Sequence, residues 1–198
     1  MVKNKLKRGL RMTRYVIYRE TLVNTKEHFY SFVGSFIGIA ILAFIQSKTL
    51  ADIDSIFLIG SFGASSVLIF GAVQSPLAQP RNLVGGHVIS AIIGVTIYKT
   101  LPNFLWLTAP LAVSLSIVMM QLTKTLHPPG GAAALIAIIG TDRVKQLGYL
   151  YVLSPVLTGT LILLVVALVF NNITPSRKYP TDRRFTNFLR KRKADLKT

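Results

Sequence analysis

The chain has 198 residues, is 51% hydrophobic and carries a formal net charge of +16, a combination that is rare in a single soluble domain. The charge is concentrated at the ends, since residues 1–28 and 171–198 hold 17 of the 23 Lys and Arg side chains. The absence of cysteine excludes disulfides and thiolate chemistry. We therefore expect one membrane-embedded domain between two basic ends.

Six apolar segments without Lys, Arg, Asp or Glu follow one another along the chain. They cover residues 29–46, 55–73, 83–98, 104–122, 126–140 and 147–170. A helix needs roughly 20 apolar residues to cross a hydrocarbon core of about 30 Å. The first, third, fourth and sixth segments reach or approach this length. The pattern predicts an all-α polytopic membrane protein with six helical segments.

The second and fifth segments contain irregular sequence. "GSFGASS" at 60–66 predicts an interruption of the second segment, and "HPPGG" at 127–131 predicts one in the fifth. Proline lacks an N–H donor and its ring crowds the preceding turn, so only residues 131–140 are expected to be regular helix there. Ten helical residues span about 15 Å and five extended residues add about 16 Å. Together they just cross a bilayer, which favours a discontinuous span over a re-entrant loop.

An internal repeat indicates how the segments are arranged. Residues 63–68, "GASSVL", align with 131–136, "GAAALI", and each follows an irregular stretch. The basic ends place both termini in the cytoplasm and so require an even number of crossings. Six spans, or four spans with two re-entrant segments, both satisfy this condition. Six spans predict a three-plus-three inverted repeat, an arrangement found in many transporters.

Three motifs in order carry a resemblance to a known family. The stretches "GSFGASSVLIFG", "PLAQPRNLVGGHVISAIIGV" and "TLHPPGGAAALIAIIG" resemble the HPP family of integral membrane proteins over roughly residues 30–170. The resemblance implies a small polytopic protein of bacterial and plastid membranes. For some photosynthetic members it implies nitrite transport.

The chemistry of broken helices predicts an anion site. A helix N-terminus exposes unpaired N–H groups and about half a positive charge. Small residues allow close approach to such a terminus, and serine hydroxyls add donors. The candidate substrate-binding residues are Gly60, Ser61, Gly63, Ser65, Ser66, Arg81, His87, His127, Pro128, Pro129, Gly130 and Gly131.

Each of these features also has a purely structural explanation. Pro128 and Pro129 can form a turn between helices, and Gly130 and Gly131 can allow two helices to pack closely. His127 can bind a neighbouring carbonyl instead of a solute. Arg81 can attract anions to a pore mouth or lie at the lipid interface. Gly86, Ser90 and Gly94 are spaced by four residues, which predicts close helix packing.

Several functional classes lack their sequence signals. A phosphate-binding loop and histidines at metal-ligand spacing are absent, and Asp52, Asp54 and Asp142 are the carboxylates between residues 29 and 170. We therefore expect no enzyme activity, metal or cofactor. Basic runs such as "RKRK" at 190–193 suit anionic lipid headgroups better than nucleic acid.

The sequence thus predicts a basic cytoplasmic or interfacial N-terminal segment over residues 1–28, a transmembrane domain over 29–172 and a basic cytoplasmic tail over 173–198. The predicted function is a transporter or channel for a small inorganic anion, with nitrite implied by the family resemblance. The alternative is a membrane-embedded structural or regulatory protein that transports nothing. We expect a multi-pass protein of a cell membrane of the bacterial inner-membrane type, able to form homo-oligomers.

Overall fold

The computed structural model describes residues 25–49, 52–102, 104–174 and 176–181. The predicted interfacial N-terminal segment up to residue 24 and the basic run at 190–193 lie outside these ranges. The seven α-helices of the described residues are α1 Thr25–Thr49, α2 Asp52–Ser66, α3 Pro80–Thr100, α4 Leu105–Leu122, α5 Gly130–Ile139, α6 Asp142–Leu147 and α7 Thr158–Phe170. π-helical turns at Val67–Gly71 and Val152–Leu157 extend α2 and precede α7, and a 3₁₀ turn at Pro76–Ala78 precedes α3.

Four helical stretches are long and apolar enough to cross a membrane. They are Thr25–Lys48, Pro80–Thr100, Leu105–Leu122 and Val152–Phe170. All regular structure in the described residues is helical. The predicted all-α membrane fold is therefore confirmed.

The helices form one bundle and run between its two ends. Contacts between residues that are distant in sequence identify these ends. At the terminal end, Arg177 contacts Glu27 of α1 and the carbonyl of Phe70 at the end of α2. At the opposite end, Lys145 lies over the Tyr98 ring at 5.6 Å, so α6 packs on the last turn of α3. Within the described residues, the backbone travels six times between these ends and returns to the terminal end at Asn171, whose amide donates to the Ile69 carbonyl.

The predicted interruption at residues 60–66 is wrong. "GSFGASS" lies inside the regular helix α2, and the backbone departs from α geometry only afterwards, in the π-helical turn Val67–Gly71. Neighbouring helices stabilise this glycine- and serine-rich stretch. Phe62, for example, packs on Gly159 of α7, where an added Cβ would lie 2.6 Å from the ring. Tertiary packing here outweighs the low helix propensity of glycine and serine.

The fifth passage is discontinuous, as the HPPGG motif indicates. α4 ends at the terminal end, where the Arg81 guanidinium donates to the Thr123 carbonyl at 2.8 Å. Residues 123–129 then enter the bundle without helical structure, and α5 continues beside α3 to the opposite end. The three-plus-three inverted repeat itself stays a prediction.

Glycines bring α3 and α5 into backbone contact. A Cβ on Gly94 would lie 2.4 Å from the Ala134 carbonyl oxygen, and a Cβ on Gly130 would lie 2.8 Å from that of Gly86. Such distances exclude any larger side chain without a shift of the backbone. The predicted packing role of Gly86 and Gly94 is confirmed, and Gly130 shares it.

A short C-terminal strap, residues 176–181, folds back over the terminal end. The buried Tyr179 hydroxyl donates to the Ala78 carbonyl at 2.7 Å, and the Thr181 N–H donates to the Gln79 side chain at 2.9 Å. Burial raises the pKa of the Tyr179 hydroxyl, so it remains a hydrogen-bond donor at neutral pH. The strap therefore holds the turn between α2 and α3 in place.

Candidate functional site

Four polar side chains converge in the buried interior of the bundle. Ser61 and Ser65 come from α2, His87 from α3, and His127 from the irregular segment before α5; they are 0–3% exposed. We call them the serine–histidine cluster. Ser65 Oγ lies 3.0 Å from His127 Nε2 and 3.4 Å from His87 Nε2, so this hydroxyl lies between both imidazoles.

A second hydroxyl completes the cluster. Ser61 Oγ lies 3.3 Å from His87 Nε2 and donates to the Pro129 carbonyl at 2.9 Å. The ring centroids of His87 and His127 are 5.0 Å apart. The cluster thus connects three separate stretches of chain through side-chain contacts.

The backbone determines which nitrogen of each imidazole carries the proton. His127 Nδ1 lies 2.8 Å from the Leu77 carbonyl, and His87 Nδ1 lies 2.9 Å from the Leu83 carbonyl. A carbonyl only accepts hydrogen bonds, so both Nδ1 atoms must be donors. In the neutral imidazoles, both Nε2 atoms are then acceptors that point at the serine hydroxyls.

Local sequence explains why these groups meet. Ser61 and Ser65 are four residues apart, which places them on one face of α2. His87 follows Gly85 and Gly86, and an added Cβ on Gly86 would lie 2.6 Å from the His127 Cβ. The paired glycines therefore let the segment carrying His127 lie directly against α3. Phe62 stacks on the His87 ring at a centroid distance of 5.5 Å and covers its other face.

The start of α5 differs from the predicted anion site. The N–H groups of Gly130, Gly131 and Ala132 donate to the carbonyls of His127, Pro128 and Pro129 at 2.8, 3.1 and 3.1 Å. Tight turns through the two prolines therefore pair these donors within the chain. The expectation that free N–H groups here face a solute is wrong, because these groups are already paired.

Other predicted residues lie away from the cluster. Gly60 and Gly63 lie on a face of α2 where an added Cβ would have no heavy atom within 4 Å. Ser66 is buried beside α1, and its hydroxyl has no hydrogen-bond partner among the described residues. Gly131 faces Val113 of α4 at 3.9 Å, an ordinary contact, and Pro128 is exposed. Of the predicted residues, Ser61, Ser65, His87, His127 and the Pro129 carbonyl meet in the cluster.

Arg81 lies at the rim of a cavity of about 420 Å³ at the terminal end. Lys124, Gln79 and the last residues of the strap also line this cavity. Pro76 is a lining residue too, and it precedes Leu77, whose carbonyl binds His127. The turn before α3 thus separates a cavity with two basic side chains from the cluster.

The carbonyl partners of the histidines could not be predicted from the sequence. Leu77 and Leu83 are apolar residues whose side chains give no signal of a polar role. The nearest indication is the spacing of Pro76 and Pro80 around a short turn, which predicts irregular backbone with available carbonyls.

The cluster offers few ligands to a metal ion. Within the described part of the chain, no three His, Cys, Asp or Glu side chains converge. Two imidazoles and two hydroxyls fall short of the three or four His, Cys or carboxylate ligands of a zinc site.

Comparison with known proteins confirms the family resemblance. The family described as the HPP transmembrane region matches residues 20–180. Two proteins of Dictyostelium discoideum, both described as transmembrane proteins, are 45% identical over 82% of this chain and 48% identical over 76% of it. These matches cover 58% and 49% of the relatives, so the chain spans about half of their length. No solved structure matches.

Proposed function

This chain belongs to the HPP family of integral membrane proteins, and on that premise we propose that it transports a small inorganic anion across a membrane through the serine–histidine cluster. Nitrite is the candidate substrate, by resemblance to those family members to which nitrite transport is attributed. Uptake proceeds past the cluster when the helices around it rearrange.

The cluster is the observation that carries this proposal. Polar side chains are costly inside a membrane protein and are concentrated on pathways for ions and solutes. Here Ser61, Ser65, His87 and His127 are buried together inside a bundle whose core is mostly apolar. Replacing both partners of a buried hydrogen bond by apolar groups of the same shape is often neutral or stabilising, so helix packing alone does not require these polar side chains.

The cavity beside Arg81 is the proposed entrance. Its two basic side chains, Arg81 and Lys124, raise the local concentration of anions. The turn at residues 75–79 lies between this cavity and the cluster, since Pro76 lines the cavity and the Leu77 carbonyl contacts His127. A rearrangement of that turn opens the cluster to the terminal end.

The proposed membrane topology follows from the backbone path. Six passages through the bundle become six crossings of a cell membrane, and the terminal end faces the cytoplasm. The positive charge near both termini supports this orientation. The basic ends bind anionic lipid headgroups at that surface.

A structural protein without transport activity is the second candidate. The contacts of Gly94 and Gly130 favour it, because they show that glycines of the family motifs serve helix packing. This structural candidate gives no role to the two neighbouring histidines, His87 and His127.

Uptake into proteoliposomes tests the proposal. The purified full chain is reconstituted, and entry of nitrite, formate and nitrate is compared with entry into protein-free liposomes of the same lipid. We expect at least one anion, with nitrite first, to enter faster through the protein. Equal rates for all three anions with and without protein would support the structural alternative.

A further inference from the structure

We propose that the cluster carries its anion together with one proton, so that transport is anion–proton symport and is electrically neutral for a monovalent anion. This inference rests on the proposed function and specifies how the same site recognises its substrate. It follows from two properties of the cluster, its hydrogen-bond donors and its charge.

The neutral cluster has no free donor for an anion. Both Nδ1–H groups are already bound to the carbonyls of Leu77 and Leu83. The hydroxyl protons of Ser61 and Ser65 face four acceptors, which are the two Nε2 atoms and the carbonyls of Pro129 and Ser61. An anion would add further acceptors to a site that already has more acceptors than protons.

One added proton changes this balance. A proton on Nε2 of His127 turns that atom from an acceptor into a donor, and the Ser65 hydroxyl can then donate to the Ser61 carbonyl at 3.1 Å. The new Nε2–H is then the donor that the anion accepts from. When the anion leaves on the other side, the proton leaves with it and the imidazole returns to its neutral form.

Charge leads to the same conclusion. An anion deep in a low-dielectric interior requires a paired positive charge. The groups that face the imidazoles are hydroxyls of α2, the Phe62 ring, and carbonyls of α3 and of the turn before it. Tyr151, which precedes α7, donates its hydroxyl to the Ala133 carbonyl.

Arg177 is the one buried Lys or Arg side chain among the described residues, and the others are exposed or half-buried. Arg81 is held at the rim by the Thr123 carbonyl, and Arg177 is paired with Glu27 at the terminal end. An imidazolium is therefore the positive charge available to the anion. The rings are 5.0 Å apart, and repulsion between two imidazolium ions limits the cluster to one proton.

Simultaneous measurement of nitrite and proton entry tests the proposal. Proteoliposomes containing a pH-sensitive dye receive external nitrite while valinomycin and equal potassium hold the membrane potential at zero, and the signal of protein-free liposomes is subtracted. We expect one proton to enter with each nitrite. Uptake should rise up to about tenfold for each unit of falling external pH, over about pH 7.5 to about 5.5.

Two variants, His127→Gln and His87→Gln, locate the proton. His127→Gln keeps a polar group near Nε2 but cannot be protonated, so its uptake should lose the pH dependence. The matched control is His28→Gln, which changes the exposed histidine of α1 and should behave as wild type.

The possible failures can be told apart. Nitrite entry without acidification in the wild-type protein would overturn the symport inference and leave transport intact. A wild-type pH profile that persists in both His127→Gln and His87→Gln would also overturn it. If nitrite, formate and nitrate all fail to enter above protein-free liposomes at about pH 5.5 and at about pH 7.5, the proposed function itself is overturned.

Discussion

At the scale of single residues, neighbouring glycines of the HPPGG motif have different roles. Gly130 touches the backbone of Gly86, whereas Gly131 meets only a valine side chain at ordinary distance. The same substitution at these adjacent positions should therefore have different effects.

We predict that Gly130→Ala destabilises the protein and that Gly131→Ala does not. A methyl group at Gly130 would lie 2.8 Å from backbone atoms that cannot move without separating α3 from α5. Overpacking of this kind costs about 1–3 kcal/mol. The measurement is the midpoint temperature of heat denaturation in detergent. The fraction of protein that remains folded after heating is read by size-exclusion chromatography. Equal midpoints for the two variants would contradict the assigned packing.

The sequence indicated which polar residues belong to the cluster, but it did not indicate most of the contacts that they make. Ser61, Ser65, His87 and His127 stand out because they are polar within apolar segments. Their proton positions depend on carbonyls of Leu77 and Leu83, which only the folded backbone brings into place. The pairing of the N–H groups at the start of α5 was equally unpredictable from the sequence, since it depends on how tightly the backbone turns at the two prolines.

At the scale of elements, Arg177 connects three helices at the terminal end. Its guanidinium bonds to the Glu27 carboxylate and carbonyl, the Ser31 hydroxyl, the Phe70 carbonyl and the Asn171 side chain. The arginine therefore shares the Phe70 carbonyl at the end of α2 with the Ser31 hydroxyl, which also donates to it. It also ties the strap to the rest of the bundle.

We predict that Arg177→Met lowers the free energy of unfolding by about 3 kcal/mol, the lower end of the range for a broken buried ion pair. The partly exposed Glu27 carboxylate keeps some contact with solvent, which limits the loss. Lys178→Met is the matched control, because it removes an exposed positive charge from the next residue. The measurement is the midpoint temperature of heat denaturation of both variants in detergent. A similar decrease of this midpoint in each variant would refute the special role of Arg177.

The element boundaries show where sequence patterns fail. Apolar length predicted the long helices well, because burial in lipid requires continuous apolar helix. The pattern failed at residues 60–66, where the glycines and serines are held in a helix because Phe62 of the same stretch packs on Gly159 of α7. It also gave no sign of the buried strap, since Arg177 and Tyr179 lie in a polar, basic stretch.

At the scale of the whole molecule, the backbone path predicts where each loop lies relative to the membrane. Residues 74 and 124 belong to the terminal end, and residue 143 belongs to the opposite end. All three side chains are exposed, and the native chain is free of cysteine.

Single cysteines can therefore test the six crossings. Gln74→Cys and Lys124→Cys should react with an impermeant maleimide from the same side of the membrane, and Arg143→Cys from the other. Labelling of residues 124 and 143 from one side would make the fifth passage re-entrant and would rule out the inverted repeat.

The central claim is that anions cross the membrane through the serine–histidine cluster, and adjacent serines of α2 offer its most direct test. Ser65 lies between both imidazoles, whereas Ser66 is equally buried but faces α1 with an unpartnered hydroxyl. Nitrite uptake per reconstituted molecule should fall about tenfold in Ser65→Ala, because the loss of one buried hydrogen-bonding group costs about 1–3 kcal/mol. In Ser66→Ala, uptake should match that of the wild type. Equal uptake by the two variants, both reconstituted as well as wild type, would contradict the claim.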